Sequence, residues 1–305
     1  MKRAALATVL AILAWLAPGL GEPLRAEMLT MERPDGSALV HHLDRQSGGS
    51  KQGALLLFQG SGCDAVGSDE RVIGYGRMLA PERALITIEK YGVGGRIAPA
   101  ALSDGCTAEY WRGNTLSRRV LDALQVVAWL RRQRWWNGDV VLFGGSEGGA
   151  VAAMAAPFVP EARAVIVYSS GIGVPVGELV RMAVPPPVRA EAVRVFAEAR
   201  RNPAADRRWG GASYAWWADA VDQVPARALL QVGAPILLIH GSRDQFADVA
   251  TARATRDLLA PKRGRRFTYR EYAGYDHFMT DQSGADHRPR VLAEAREWLL
   301  RLARR

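Results

Sequence analysis

The chain has 305 residues, 49% of them hydrophobic and 23% charged, with a formal net charge of +9. This is an ordinary globular balance, with enough chain to bury a sizeable core as one large domain or two small ones. The basic excess is almost all arginine, with lysine only at positions 2, 51, 90 and 262; the denser groups Lys262–Arg266 and Arg301–Arg305 read as solvated faces or helix ends, and with no nucleic-acid-binding motif beside them a nucleic-acid partner is excluded.

At the N-terminus, Lys2 and Arg3 precede an apolar run from Ala4 to Ala17, which Pro18 and Gly19 break. Small residues at Gly19, Gly21 and Ala26 offer cleavage points. This is the pattern of a signal peptide. The run is too short for a stable membrane span, which needs about 20 apolar residues. Residues 1–26 are therefore expected to be a signal peptide, with a buried first helix or an uncleaved anchor as the alternative, and the protein to be secreted or periplasmic. An oxidising compartment would allow the two cysteines, Cys63 and Cys106, to pair, the alternative being two separate thiols.

Next come strands and helices in alternation. Ala38–Asp44 alternates in polarity and reads as an antiparallel edge strand. Ala54–Gln59, Ala84–Ile88, Val140–Phe143, Arg163–Tyr168 and Pro235–His240 are short continuous apolar runs, as strands buried on both faces of a parallel sheet should be. Phe267–Tyr272 reads as a last strand. Between them, Ser117–Gln133 carries a helical stripe of Val120, Leu121, Leu124, Val127 and Leu130, with Arg and Gln on the other face. Asp248–Ala260 and Arg290–Leu302 are similar. The fold class is therefore α/β, a mostly parallel sheet with helices on both faces. Residues 171–231 interrupt the rhythm with a Pro185–Pro187 run, mixed helical pattern and the aromatics Trp209, Tyr214, Trp216 and Trp217, without a clear strand. They read as a small helical cap insertion whose aromatics form mainly a local core.

The strongest chemical signal is the Val140–Gly149 segment VVLFGGSEGG. A buried strand enters a glycine-rich turn and a small-residue helix follows, which would set Ser146 on a sharp turn with its hydroxyl exposed above the sheet. A serine hydroxyl needs a base to take its proton, and the base needs a carboxylate to orient it. His277, in GYDHF just past the last strand, is the expected base, with His287 in reserve. His41 and His42 precede the nucleophile, and His240 ends a strand. Asp244, in HGSRD after the strand before last, is the expected acid, in preference to Asp248 and Asp276. Backbone amides of Glu147 and of Ser61, in the loop QGSG after Ala54–Gln59, are the expected oxyanion donors.

These segments resemble the α/β-hydrolase superfamily over nearly the whole chain from Ala38 on, and the elbow resembles those of dienelactone-hydrolase-like and prolyl-oligopeptidase-like enzymes, though the large N-terminal propeller of true prolyl oligopeptidases is not expected here. The resemblance implies a sheet of about eight strands over residues 27–305 and a catalytic triad on Ser146, His277 and Asp244. Many members begin the oxyanion loop with His-Gly, where this chain has Gln59-Gly60. Cys63 lies in that loop and Cys106 in the long loop after Ala84–Ile88, so a bridge between them would tether the oxyanion loop beside the site.

The expected activity is acyl transfer to water: a secreted, carboxylesterase-like serine hydrolase acting on a small-molecule acyl substrate. A serine peptidase or amidase and a non-catalytic binding protein on the same fold remain as alternatives. No metal-ligand spacing and no dinucleotide fingerprint are evident, so neither metal nor cofactor is expected.

Overall fold

The computed structural model describes residues 26–46, 50–94 and 105–303. The expected signal peptide, apart from Ala26, lies outside the described residues. In chain order the strands are β1 (Glu27–Glu32), β2 (Ala38–Asp44), β3 (Gln52–Phe58), β4 (Ala84–Ile88), β5 (Trp136–Gly145), β6 (Ala162–Tyr168), the two-residue β7 (Arg208–Trp209) and β8 (Ala212–Ser213), β9 (Ile236–Gly241) and β10 (Phe267–Tyr272). Eight of them form one sheet in the order β1-β2-β4-β3-β5-β6-β9-β10. Pairings β1–β2 and β2–β4 are antiparallel, and those from β4 to β10 are parallel.

Every strand expected from an apolar run is present. One correction concerns the edge. β2 is antiparallel, as read, but β1 lies outside it and forms the edge. In the EMLTME stretch only Leu29 and Met31 pack inward, so its alternation is short and half exposed.

The helices are α1 (Glu70–Leu79), α2 (Ala108–Gly113), α3 (Leu116–Leu130), α4 (Glu147–Ala155), α5 (Val176–Ala183), α6 (Pro186–Arg201), α7 (Tyr214–Ala220), α8 (Val249–Arg263) and α9 (Arg288–Ala303). Alternate strand residues point to opposite faces, and the core divides accordingly. Leu56, Phe58 and Leu142 pack with residues of α3, α4 and α8, while Leu55, Leu57 and Val141 pack with residues of α1 and α9. Helices therefore cover both faces of the sheet.

A second correction concerns α3. Its inner face is Leu116, Arg119, Val120, Asp122, Ala123, Val126, Val127 and Leu130, whereas Leu121 is 62% exposed. The buried face thus includes two charged residues, Arg119, which the sequence places on the other face, and Asp122. They are tolerated because both are paired. Arg33 holds the Asp122 carboxylate with two hydrogen bonds of 2.8 and 2.9 Å, tying the β1–β2 hairpin to α3. Arg119 is directed into the site described below.

Residues between β6 and β9 hold α5, α6, the β7–β8 ribbon, α7 and a 3-10 segment, Pro225–Gln231. The ribbon is a piece of strand where none was expected. Phe196, Tyr214 and Trp217 form a small separate core there with Ala192, Val195, Ala199 and Val221.

Candidate active site

The site begins where β5 runs into α4. Gly144 and Gly148 are required by close approach. A Cβ on Gly144 would meet the Gly148 carbonyl oxygen at 2.0 Å, and one on Gly148 would meet the Phe58 carbonyl oxygen at 2.1 Å. Between them Ser146 adopts φ 53°, ψ −127°, a strained conformation for a residue with a side chain. Its amide donates to the Tyr168 carbonyl on the neighbouring strand at 2.9 Å, which holds the turn to the sheet. Ser146 occupies the cap position of α4, yet its hydroxyl makes no capping bond. A serine there would ordinarily bond a helix amide; this one keeps its hydroxyl available above the positive end of the helix. The other positive-φ residues with side chains among the described ones are Ser169 and Met279. Ser169 lines the same cavity as Ser146, and Met279 follows His277 by two residues, so the backbone strain gathers around one place.

The loops after β9 and β10 bring Asp244 and His277 together. His277 Nδ1 lies 2.8 Å from Asp244 Oδ2. The other carboxylate oxygen accepts from the Phe246 and Ala247 amides at 2.9 and 2.8 Å, which fixes its direction. His240, fully buried, donates Nε2 to the Ala247 carbonyl at 2.7 Å; burial pushes its pKa down and keeps the ring neutral beside the pair. The remaining histidines are otherwise engaged. His287 stacks on Tyr275 at 4.4 Å and bonds Asp281 at 2.8 Å. His42 bonds Glu89 at 2.8 Å, and His41 packs edge-on against Trp129.

The glycine-rich loop after β3 passes over the elbow. A Cβ on Gly60 would lie 3.3 Å from Ser146 Cβ, which places this loop against the serine. Ser61 is exposed there. The Glu147 amide, at the first position of α4, is one of the helix donors with no intrahelical acceptor. Three charged side chains that sequence did not single out brace this loop. Glu89 accepts from the Val66 and Gly67 amides at 2.9 Å each. Lys90 donates to the Gly62 carbonyl, as does the Tyr110 hydroxyl. Arg119 bonds the Gln59 carbonyl at 2.6 Å and the Glu147 carboxylate at 2.5 Å, joining the loop to the elbow. The Cys63–Cys106 disulfide is present, with Cα atoms 5.6 Å apart. The available signal for Glu89 and Lys90 was their place directly after a strand at the carboxyl edge of the sheet.

Ser146 and His277 line one small cavity of about 130 Å3. Its walls are Leu116, Ile172, Val176, Leu179, Val180 and Trp216, with Phe246 at the histidine side. Phe246 and Phe278, respectively 57% and 43% exposed, flank the His277 ring at centroid distances of 5.2 Å each. Of the aromatics in the 171–231 insertion, Trp217 and Tyr214 are local core, whereas Trp216 reaches the cavity.

This arrangement is that of an α/β-hydrolase fold, as comparison with solved structures bears out. Est1E from Butyrivibrio proteoclasticus aligns over 91% of this chain and 99% of its own, at 16% identity and TM-score 0.65. A puromycin-hydrolysing peptidase of Mycobacterium tuberculosis aligns over 94% of this chain but only 41% of its own, at 15% identity and TM-score 0.61. An esterase of Pyrobaculum calidifontis aligns over 92% and 85%, at 17% identity and TM-score 0.56. In sequence, residues 100–181 match the model of the X-Pro dipeptidyl-peptidase (S15) family, which leaves most of the chain outside the match. No curated protein sequence matches the chain.

Lys90 gives the site a measurable signature. Burial, reinforced by the nearby Arg119 charge, pushes its pKa down from 10.5 to about 7. Between these values the unfolded chain binds more protons than the folded one, so stability rises with pH over that window. Unfolding by urea at pH 7 to 9 should show this rise in the wild type, and Lys90→Met should flatten it. Parallel profiles for the two proteins would contradict the assignment.

Proposed function

We propose that the chain is an exported serine hydrolase that cleaves an ester or related acyl bond. The observation that carries this reading is that the strained, uncapped Ser146 and His277 border one apolar cavity, with the far nitrogen of His277 held by Asp244. In this reading Ser146 Oγ attacks the acyl carbon while His277 takes its proton. Asp244 holds the ring and offsets its positive charge. The amides of Ser61 and Glu147 receive the oxyanion. His277 then returns the proton to the leaving oxygen, and water, activated by the same histidine, releases the acid from Ser146. Residues 171–231 act as a cap that completes the acyl side of the cavity through Val176, Leu179, Val180 and Trp216.

The apolar walls favour a neutral acyl group. The carboxylates at hand are committed, Asp244 to His277 and Glu147 to Arg119, so neither is free to hold the ammonium of a peptide N-terminus. A peptidase or amidase is the second reading. The S15 match and the puromycin-hydrolysing neighbour favour it. Export is supported by the disulfide, since such bonds persist in oxidising compartments.

A panel of short acyl esters and aminoacyl amides tests this directly. Esters should be turned over faster than amides, and Ser146→Ala should lower kcat by roughly four to six orders of magnitude while the protein stays folded. Faster amide cleavage would install the second reading; near-wild-type turnover by Ser146→Ala would refute both. The intact mass of protein from its native host should correspond to a start after about Gly21 or Ala26, and a mass retaining residues 1–20 would contradict export through a cleaved signal.

A further inference from the structure

Next to the apolar cavity lies a second, of about 140 Å3, reached from the side of the oxyanion loop. Ser61, Tyr110, Trp111, Asn114, Trp216 and Trp217 are among its lining residues. Glu147, Val180 and Trp216 border both cavities, so the two meet at the elbow.

The second cavity has a different chemistry. Trp111, Asn114 and Trp216 line it, and Trp111 Nε1, Asn114 Oδ1 and Trp216 Nε1 are buried atoms without a hydrogen-bond partner among the described residues. Asn114 is 3% exposed and Trp111 9%. Buried polar groups in folded proteins are ordinarily paired, and three orphans around one cavity are a concentration that asks for an explanation. The same insertion does pair its other indoles: Trp217 Nε1 donates to the Trp209 carbonyl at 2.9 Å and Trp209 Nε1 to Glu191 at 3.0 Å.

Two N–H donors and one amide acceptor, set among aromatic rings, suit a particular kind of ligand. A hydroxyl both accepts and donates, so it can take a hydrogen bond from an indole and give one to the Asn114 carbonyl. The carbon skeleton of a polyol can lie against the aromatic faces. Among the described residues the one charged side chain in this lining, Glu147, is already paired with Arg119, and the neighbouring Arg208 guanidinium lies over the Trp111 ring at 4.5 Å, so neither calls for an ionic ligand.

Building on the serine-hydrolase reading above, we propose that the second cavity holds the alcohol side of the scissile ester, and that this alcohol is an uncharged polyhydroxylated group, a sugar. The substrate is then an apolar acyl ester of a sugar hydroxyl. When the acyl C–O bond breaks, the acyl group stays on Ser146 Oγ, and the sugar oxygen takes the proton that His277 received from Ser146. Water later supplies the hydroxyl of the released acid and returns a proton to Ser146.

Two esters of one acid test the proposal: 6-O-hexanoyl-glucose and ethyl hexanoate. A site with buried groups made to pair substrate hydroxyls discriminates strongly against a substrate that lacks them. Wild-type kcat/KM should favour the glucose ester by about tenfold or more. In Trp111→Phe and Asn114→Leu, the ratio of the two kcat/KM values should fall at least fivefold, roughly, chiefly through KM for the glucose ester. Equal rates, or preference for the ethyl ester, in the wild type would overturn the proposal while Ser146-dependent turnover of ethyl hexanoate left the hydrolase reading standing. A glucose preference that both variants keep would overturn the assignment to this cavity. No turnover of either ester would overturn the proposal together with the reading beneath it.

Discussion

The rest of the site depends on how closely α4 approaches the sheet. At Gly144 and Gly148 there is no room for even a methyl group, because backbone oxygens occupy the space a Cβ would fill. The helix itself, EGGAVAAMA, is built of small residues that are nearly all buried. Only such a helix can descend this far onto β5 and β6, and only a sharp turn can feed it. Ser146 therefore carries the turn in a strained conformation, which costs of order 1–3 kcal/mol. The buried sheet on both sides supplies the stability that lets this strain persist. In return the hydroxyl stands clear of its own helix, at the mouth of a cavity that a flatter connection would have closed.

A second constraint follows from the loop that faces the elbow. It is rich in glycine and has little apolar side chain with which to hold itself in place. Its position is set from beneath by buried polar groups: Glu89 on two amides, Lys90 and Tyr110 on the Gly62 carbonyl, Arg119 on the Gln59 carbonyl, and the disulfide at Cys63. Burying such charges is costly unless each is paired. Arg119 meets that condition by also binding Glu147, so the same side chain that fixes the loop fixes the elbow. Under the proposed function the Ser61 and Glu147 amides receive a developing charge; such donors act well only when they need not move, and this network braces the loop and the elbow that carry them.

Much of this was legible because parallel strands buried on both faces write themselves as continuous apolar runs. The elbow, the pairing of Asp244 with His277 and the bridge between Cys63 and Cys106 followed from residue order once the sheet was laid out. What could not be read had physical causes. β1 is short and half exposed, so its alternation carries little signal. Leu121 sits on the outside of α3 while Arg119 and Asp122 lie inside, because their partners, Glu147 and Arg33, are distant in sequence and reverse the ordinary preference. The second cavity is beyond any local pattern, since Trp111, Asn114 and Trp216 meet only through the packing of α2 against the insertion.

The central claim is that Ser146 is an activated nucleophile, and covalent capture tests it most directly. Wild-type protein treated with a fluorophosphonate and digested should yield one adduct, which tandem mass spectrometry places on Ser146, and His277→Ala should label far more slowly. An adduct on another residue, or none under conditions where the protein is folded, would contradict the account.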